Sequence, residues 1–218
     1  MTVVHKSIVN LLKIKEELKA FSIKKNCEII AVSKTFTMDD IMPLIKFGHI
    51  HFGENKVQEA LQKWTPIKKI YPNIKLHMLG KIQKNKAKYI PQIFDYVHSL
   101  DNLELAKKLV SSQLKLNKKI KYFIQLNLGE ETQKNGLDAN NLSEFYNSCQ
   151  NFKLDIQGLM CIPPKLDNCA KYFRILQDYS KKLNLKDLSM GMSNDYLEAV
   201  KNGSTFIRVG SKIFGDRN

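Results

Sequence analysis

Apolar runs of strand length alternate with segments of helical periodicity along the whole chain, and this alternation constrains the fold more than any other feature. Eight runs are predicted as strands: Glu28–Ser33, Ile50–Gly53, Lys75–Leu79, Phe94–His98, Lys121–Leu128, Asp155–Met160, Asp187–Gly191 and Thr205–Val209. Strands that alternate with helices form parallel sheets covered by helices. Eight such units predict an α/β fold, a TIM-type (β/α)8 barrel.

The segments between these runs carry apolar residues three and four positions apart, as amphipathic helices do. They are Met38–Phe47, Lys56–Ile70, Leu103–Leu116, Leu142–Cys149, Ala170–Leu183 and Tyr196–Lys201. An extra N-terminal helix is predicted over residues 3–24, and we expect it to cover one end of the barrel. The connection around Gln83–Tyr89 is short and gives the weakest helical pattern. Because no linker interrupts the pattern, residues 1–218 are expected to form a single domain.

Bulk properties narrow the classes of partner. No apolar stretch approaches the roughly 20 residues that span a bilayer, and the N-terminus lacks a signal-peptide pattern, so a cytoplasmic protein without membrane contact is expected. The net charge of +14 attracts phosphate groups. Of the 35 Lys and Arg residues only Arg174, Arg208 and Arg217 are arginine, and the lysines are scattered. With no recognition motif present, we expect non-specific affinity for nucleic acid but no specific nucleic-acid partner.

Lys34 follows the apolar run Ile29-Ile30-Ala31-Val32 at the end of the first predicted strand. In a barrel of this type, chemistry belongs at the C-terminal ends of the strands. An amine that condenses with an aldehyde must be partly neutral, and burial at an apolar strand end favours the neutral form. Lys34 is therefore a candidate for a covalent link to an aldehyde.

Two segments near the C-terminus resemble a cradle for a phosphorylated ring: Gly191-Met192-Ser193-Asn194-Asp195 and Arg208-Val209-Gly210-Ser211. Ser193 is the expected cap of a helix that begins near Asn194, and amides at a helix N-terminus favour an anion. We therefore predict ligand contacts from Met192, Ser193, Gly210 and Ser211. Together with Lys34, these segments suggest pyridoxal 5'-phosphate (PLP) held as a Schiff base.

Arg208 lies within the eighth predicted strand, in a chain that uses lysine almost everywhere else. A guanidinium is a permanently charged donor, so beside the pyridine nitrogen it would keep that nitrogen unprotonated. This weakens the ring as an electron sink and suits storage or a racemase better than a transaminase. Asn55 has two interpretations, a contact with the ring or lysine and an ordinary helix N-cap.

Two of the five histidines are interpreted as structural. His77 and His98 are expected in the core or behind the site, not as catalysts. His49 and His51 alternate on one strand, but no carboxylate or cysteine pattern completes a metal site, so no metal is assigned.

Several motifs resemble those of the pyridoxal phosphate homeostasis proteins, single-domain relatives of the alanine racemase barrel. They are Ala31-Val32-Ser33-Lys34-Thr35, Phe52-Gly53-Glu54-Asn55-Lys56-Val57-Gln58-Glu59, His77-Met78-Leu79-Gly80-Lys81-Ile82-Gln83-Lys84-Asn85-Lys86, Gly158-Leu159-Met160, Leu188-Ser189-Met190-Gly191-Met192-Ser193 and Arg208-Val209-Gly210-Ser211-Lys212-Ile213-Phe214-Gly215. The resemblance spans nearly the full chain.

The resemblance implies that Lys34 carries PLP covalently, that Arg208 faces the pyridine nitrogen, and that Ser193, Gly210 and Ser211 bind the phosphate, with Asn55 over the ring. It implies a protein that buffers PLP inside the cell, with PLP-dependent apoenzymes as candidate recipients and without robust catalytic turnover. The alternative is a weak PLP-dependent amino-acid racemase. Because the chain ends at Asn218, no second racemase domain is expected, and a monomer is favoured.

Overall fold

The computed structural model describes residues 4–20, 27–129, 135–164 and 168–216. Within them, nine parallel strands form one sheet: β1 Glu28–Val32, β2 His51–Glu54, β3 Lys75–Met78, β4 Tyr96–Leu100, β5 Lys121–Asn127, β6 Leu137–Asp138, β7 Asp155–Cys161, β8 Asp187–Ser189 and β9 Phe206–Val209. The strand order is β4-β3-β2-β1-β9-β8-β7-β5-β6, and β4 also pairs with β5. This last pairing closes an eight-stranded barrel, so the predicted TIM-type α/β fold is confirmed.

The two-residue strand β6 is the element that the sequence pattern misses. It pairs only with the end of β5, where Leu126 faces Leu137 and Asn127 faces Asp138. Gly136 precedes it with φ of +129°, and a Cβ at this position would lie 2.7 Å from the Asn127 amide nitrogen. A close backbone approach, which only glycine permits, therefore forms this pairing.

Helices surround the barrel: α1 Lys6–Ala20, α2 Met38–Lys46, α3 Val57–Ile70, α4 Ile90–Ile93, α5 Leu103–Lys115, α6 Leu142–Asn151, α7 Cys169–Lys182, α8 Tyr196–Lys201 and α9 Ser211–Phe214. The connection predicted to be short contains a 3-10 helix, Lys84–Tyr89, before α4. Residues 3 and 21–24 of the predicted first helix lie outside the described residues. None of the helices in the described ranges is long and apolar enough to cross a membrane.

The first helix packs against α2, α8 and α9. It therefore lies in the outer helix layer, and the prediction that it covers one end of the barrel is wrong. Its main partner, α9, follows β9 and has only four residues. Leu11, Ile14 and Leu18 of α1 are buried there.

A small apolar cluster fills the barrel interior. Its members come from strands on all sides: Ile30, Val32, Leu79, Phe123, Met160 and Phe206. Side chains packed in this way make the inside of such a barrel a core and not a channel. Val32 and Leu79 also line the cavity described below, so the top of this cluster forms the floor of the cavity.

Most predicted strands differ from the structure by one or two residues at an end, and two of these differences have a clear local reason. Phe94 was expected to start a strand, but its amide donates to the Ile90 carbonyl and caps α4, and β4 begins two residues later. The strand expected to reach Gly191 ends at Ser189. Gly191 has φ of +91°, which turns the chain out of the extended conformation.

Candidate functional site

A cavity of about 530 Å³ opens at the C-terminal ends of the strands. All seven residues predicted to contact a ligand line it: Lys34, Asn55, Met192, Ser193, Arg208, Gly210 and Ser211. The other lining residues are Val32, Leu79, Ile162, Pro163, Pro164, Cys169, Asn194 and Asp195. The barrel thus brings segments from both ends of the chain into one pocket, since β1 lies between β2 and β9 and β9 is followed by β8.

A compact turn after β1 presents Lys34. Thr35 has φ of +69°, an uncommon conformation for a non-glycine residue. Its amide donates to Glu59 Oε1 at 2.8 Å, and the Phe36 amide donates to the Ser33 carbonyl at 3.2 Å. Ser33 is fully buried and donates through its hydroxyl to Glu54 Oε1 at 2.8 Å. The lysine is therefore flanked on both sides by residues with fixed partners.

Glu54 at the end of β2 and Lys63 of α3 tie this turn to the next strand. Lys63 Nζ donates to Glu54 Oε1 at 2.9 Å, to Glu59 Oε1 at 3.1 Å and to the Ser33 carbonyl at 2.9 Å. Trp64 Nε1 also donates to Glu54 Oε1, at 2.9 Å. Burial raises the pKa of Glu59, but the Thr35 amide and Lys63 more than offset this, so the pKa is lowered overall.

The sequence pattern does not identify Glu54 as a supporting residue. It has no exposed surface, and its second oxygen, Oε2, has no hydrogen-bond partner among the described residues. A carboxylate that ends a buried apolar strand is an unusual placement, because a buried charge must be paired. The acidic residue at the end of a buried strand is the signal in the sequence that points to Glu54. It also implies a basic partner, which the following helix supplies.

Asn55 lies half-buried in the cavity wall. Its helix N-cap interpretation is wrong, because α3 begins at Val57 and its N-cap is Lys56. Gly80 packs directly on the Asn55 backbone, where a Cβ would lie 2.3 Å from the Asn55 carbonyl oxygen. This contact between the ends of β2 and β3 fixes Asn55 at the edge of the cavity.

The segment from Met192 to Asp195 forms a turn, not the start of a helix. The Met192 amide donates to Asp195 Oδ1 at 2.6 Å, and the Tyr196 amide donates to the Met192 carbonyl at 2.9 Å. The N-cap of α8 is Asp195, so the prediction that Ser193 caps this helix is wrong. Asp195 satisfies the turn through its own side chain and thereby delays the helix to Tyr196.

The turn meets the loop after β9 through two hydroxyl groups. Ser211 Oγ donates to Ser193 Oγ at 3.1 Å, and the Lys212 amide approaches Ser193 Oγ at 3.5 Å. Gly210 completes this wall, where a Cβ would lie 3.4 Å from the Val32 carbonyl oxygen. The two predicted phosphate segments are thus adjacent, with hydroxyl and amide donors at their junction.

The N-terminal helix holds the loop after β9 in place. Asn10 Nδ2 donates to the Ile213 carbonyl at 3.0 Å. Lys212 Nζ donates to Glu17 Oε2 at 3.2 Å and to Tyr196 Oη at 2.7 Å, and Tyr196 Oη in turn donates to Glu17. The Tyr196 hydroxyl lowers the pKa of Glu17, and Lys212 lowers it further. The extra helix therefore supports the cavity from outside.

Arg208 is the charged group deepest in the cavity wall, with 5% of its surface exposed. Its Nη1 donates to Ser189 Oγ at 2.8 Å and its Nη2 to the Cys161 carbonyl at 3.0 Å. No carboxylate among the described residues lies within ion-pair distance of the guanidinium. Burial lowers the pKa of Arg208, but a guanidinium keeps its charge in proteins. The cavity therefore presents a fixed cation with no carboxylate in direct contact among the described residues.

His51, His77 and His98 pack in the barrel interior beside the apolar cluster, which confirms the predicted core position of His77 and His98. His77 and His98 have no exposed surface, and His51 is 8% exposed. His77 stacks on Tyr96 with ring centroids 4.3 Å apart, and His98 stacks on Phe123 at 4.4 Å. Burial lowers the pKa of each of the three, so they pack as neutral aromatic rings.

This fold and this cavity define a class, the barrel proteins built like the N-terminal domain of alanine racemase. A family model described as the alanine racemase N-terminal domain matches residues 9–218. The alanine racemase of Clostridium difficile 630 superposes with a TM-score of 0.72 at 12% identity, covering 97% of this chain and 57% of that one. At this identity the similarity shows a common fold.

Within that class the chain belongs to the pyridoxal phosphate homeostasis protein family. The family member from Aquifex aeolicus is 34% identical over 204 residues, covering 88% of this chain and 89% of that protein. The member from Synechocystis sp. is 36% identical over 203 residues, covering 87% and 91%. The structure of PipY from Synechococcus elongatus with PLP bound matches with a TM-score of 0.80 at 34% identity, over 92% of this chain and 99% of that one.

Proposed function

We propose that this protein binds PLP in the cavity at the C-terminal ends of the strands, with the cofactor attached to Lys34 as a Schiff base. The observation that carries the proposal is the convergence of Lys34, Arg208 and the paired Ser193 and Ser211 hydroxyls on one pocket. Family membership and the PLP bound to PipY support it. The cavity volume of about 530 Å³ is within the range of small-molecule and cofactor sites.

The donors of the cavity match the chemical groups of PLP. Lys34 supplies the amine, which condenses with an aldehyde and releases water. Ser193, Ser211 and the nearby amides supply neutral donors for a phosphate, and Gly210 keeps that wall free of a side chain. Arg208 supplies a donor for the pyridine nitrogen, and Met192 and Asn55 contribute the remaining contacts. When bound, PLP supplies an aldehyde for amines and a ring that accepts electrons.

The cavity suits retention of the cofactor better than turnover. Arg208 is a permanent donor and would hold the pyridine nitrogen of a bound PLP unprotonated, which would limit the ring as an electron sink. A racemase needs a second base opposite the lysine, and the lining residues of the described chain include no tyrosine or histidine. The other thiol and carboxyl groups in the wall are Cys169, whose pKa is raised by burial, and Asp195, which accepts the Met192 amide.

We therefore infer a role in PLP homeostasis, in which the protein buffers a reactive aldehyde and keeps it available to PLP-dependent apoenzymes. This role needs reversible attachment and no amino-acid substrate. We also propose that the protein acts in the cytoplasm as a monomer. Its net charge of +14 does not reflect binding to a specific nucleic acid in this proposal.

Titration of the PLP-free protein with PLP, followed by visible absorption, tests this proposal. We expect a saturable new band in the wild-type protein and in Lys115→Ala, a control that removes an exposed lysine at the end of α5. We expect no such band in Lys34→Ala. The loaded protein should exchange the α-proton of alanine no faster than free PLP does. Equal bands in Lys34→Ala and wild type would contradict the attachment site, and rapid exchange would point to a racemase.

A further inference from the structure

A line of hydrogen-bonded side chains crosses the barrel interior from the cavity to the opposite end. Ser189 Oγ, which accepts from Arg208, is 2.8 Å from His98 Nδ1. His98 Nε2 is 2.8 Å from His77 Nδ1, and His77 Nε2 is 2.9 Å from His51 Nδ1. The line passes from β8 across the barrel to β4 and then along the neighbouring strands β3 and β2.

The far end of this line reaches solvent near the start of β1. His51 Nε2 lies 3.7 Å from Glu28 Oε2, and the Glu28 side chain is 54% exposed. Between the two ends, Ser189, His77 and His98 have no exposed surface. The series of polar contacts therefore has Arg208 in the cavity wall at one end and Glu28 on the surface at the other. Between them it crosses the core of the barrel.

The two contacts of Ser189 set the direction of the bonds in the series. A guanidinium only donates, so Ser189 Oγ accepts from Arg208. Arg208 and His98 are the hydrogen-bond partners of Ser189 Oγ among the described residues, so the buried hydroxyl proton has an acceptor only if it goes to His98 Nδ1. A neutral imidazole carries one proton, so His98 is protonated on Nε2 and donates to His77 Nδ1. The same reasoning places the His77 proton on Nε2, facing His51 Nδ1. It places the His51 proton on Nε2, facing Glu28.

We propose that His98, His77 and His51 are positioning residues for Arg208. Each ring donates towards Glu28 and accepts from the Arg208 side, so the bonds polarise one another in the same sense. The series holds the Ser189 lone pair towards the guanidinium and thereby fixes the Arg208 side chain at the cavity. This inference rests on the proposed function, because the fixed guanidinium is the group offered to the pyridine nitrogen.

The direction of the series is tested in the PLP-free wild-type protein by nitrogen-15 NMR of the histidine rings. The expected result is a proton on Nε2 and a bare Nδ1 in His51, His77 and His98. A proton on Nδ1 of His77 or His98 would overturn the proposal, because the bonds would then run the other way. This measurement does not depend on PLP binding.

The positioning role is tested by cutting the series at His77, which reaches Arg208 only through His98 and Ser189. In His77→Phe a phenyl ring keeps the stacking on Tyr96 but removes both hydrogen bonds. We expect the dissociation constant for PLP to rise about tenfold, as when a supporting partner of a bound group is removed. The control His49→Phe changes a buried histidine that bonds the His51 carbonyl outside the series, and it should bind PLP as wild type does.

A double-mutant cycle with Arg208→Lys separates positioning from a general loss of structure. If His77 acts through Arg208, His77→Phe has no further effect in the Arg208→Lys protein. Equal effects in both backgrounds, or no effect in either, would overturn the proposal. If His77→Phe does not fold, His51→Phe interrupts the series one ring further from Arg208. Its effect on the dissociation constant for PLP is then measured in the wild-type and Arg208→Lys proteins in the same way. Absence of PLP binding by the wild-type protein would refute the proposed function, while the NMR result would still decide the direction of the bonds.

Discussion

Lowering the pH from 7.5 to 5.5 is expected to reduce the free energy of unfolding of the PLP-free protein by a few kcal/mol, because three buried histidines each contribute on the order of 1 kcal/mol. Burial lowers the pKa of His49 to about 4 and lowers the pKa of His77 and His98 well below the ordinary value. In the unfolded chain a histidine has a pKa of about 6.5. The unfolded state therefore takes up protons that the folded state does not.

The sign follows from this difference. Above a pH of about 7 both states are neutral at these residues, and stability does not depend on them. As the pH falls below about 6.5 the unfolded state is increasingly favoured, and for His49 the loss ends near its folded pKa of about 4. The lowered pKa values of Glu17 and Glu59 act in a separate, more acidic window.

Urea unfolding at pH 7.5, 6.5 and 5.5 measures the effect. His49→Phe serves as an internal control, because it should remove about one third of the pH-dependent part and leave the remainder. A free energy of unfolding that is the same at pH 7.5 and 5.5 would show that the buried rings accept protons in the folded protein. The neutral hydrogen-bonded series through the barrel would then be wrong as well.

Gly191→Ala is expected to destabilise the protein by roughly 2–5 kcal/mol, combining left-handed backbone strain with overpacking. Gly191 has φ of +91°, and a Cβ there would lie 2.5 Å from Ala199 Cβ and 2.9 Å from Tyr196 Cα. The glycine lets the turn that carries Ser193 pack closely on α8. A methyl group would push this turn away from the loop that carries Ser211, so weaker PLP binding is expected too.

Gly48→Ala is the matched control for this substitution. Gly48 has φ of +92°, and nothing lies within 4 Å of the position that its Cβ would take. Gly48→Ala should therefore lower the free energy of unfolding by about 1–2 kcal/mol through backbone strain alone. The position lies before β2 and away from the cavity. Comparison of the two variants by urea unfolding and PLP titration isolates the contact with α8. Equal losses in both variants, with PLP binding unchanged, would show that this contact does not shape the site.

The sequence pattern predicts the barrel and the location of the cavity because both depend on periodicity. The eight strands, their closure and the adjacency of β2, β1, β9 and β8 follow from alternating apolar runs. All seven predicted site residues line one cavity because they follow strand ends, and a parallel barrel gathers those ends on one face. Their roles as PLP contacts stay predictions.

Features that depend on side-chain geometry were not predictable in this way. The prediction that Ser193 caps a helix is wrong because the Asp195 carboxylate accepts a hydrogen bond from the Met192 amide, and this forms a turn before the helix. The supports of the Lys34 turn, Glu54 and Lys63, meet only when α3 packs beside β2. The histidine series depends on distances between rings of three neighbouring strands, which spacing in the sequence does not reveal.

Borohydride reduction of the protein loaded with PLP, followed by peptide mass mapping, tests the central claim most directly. Reduction makes a Schiff base permanent, so the modified residue can be identified in a chain with 35 Lys and Arg residues. The account predicts one PLP group per chain, on the peptide that contains Lys34, and no stable modification in Lys34→Ala. Modification spread over many lysines, or concentrated on a lysine outside the cavity, would contradict it.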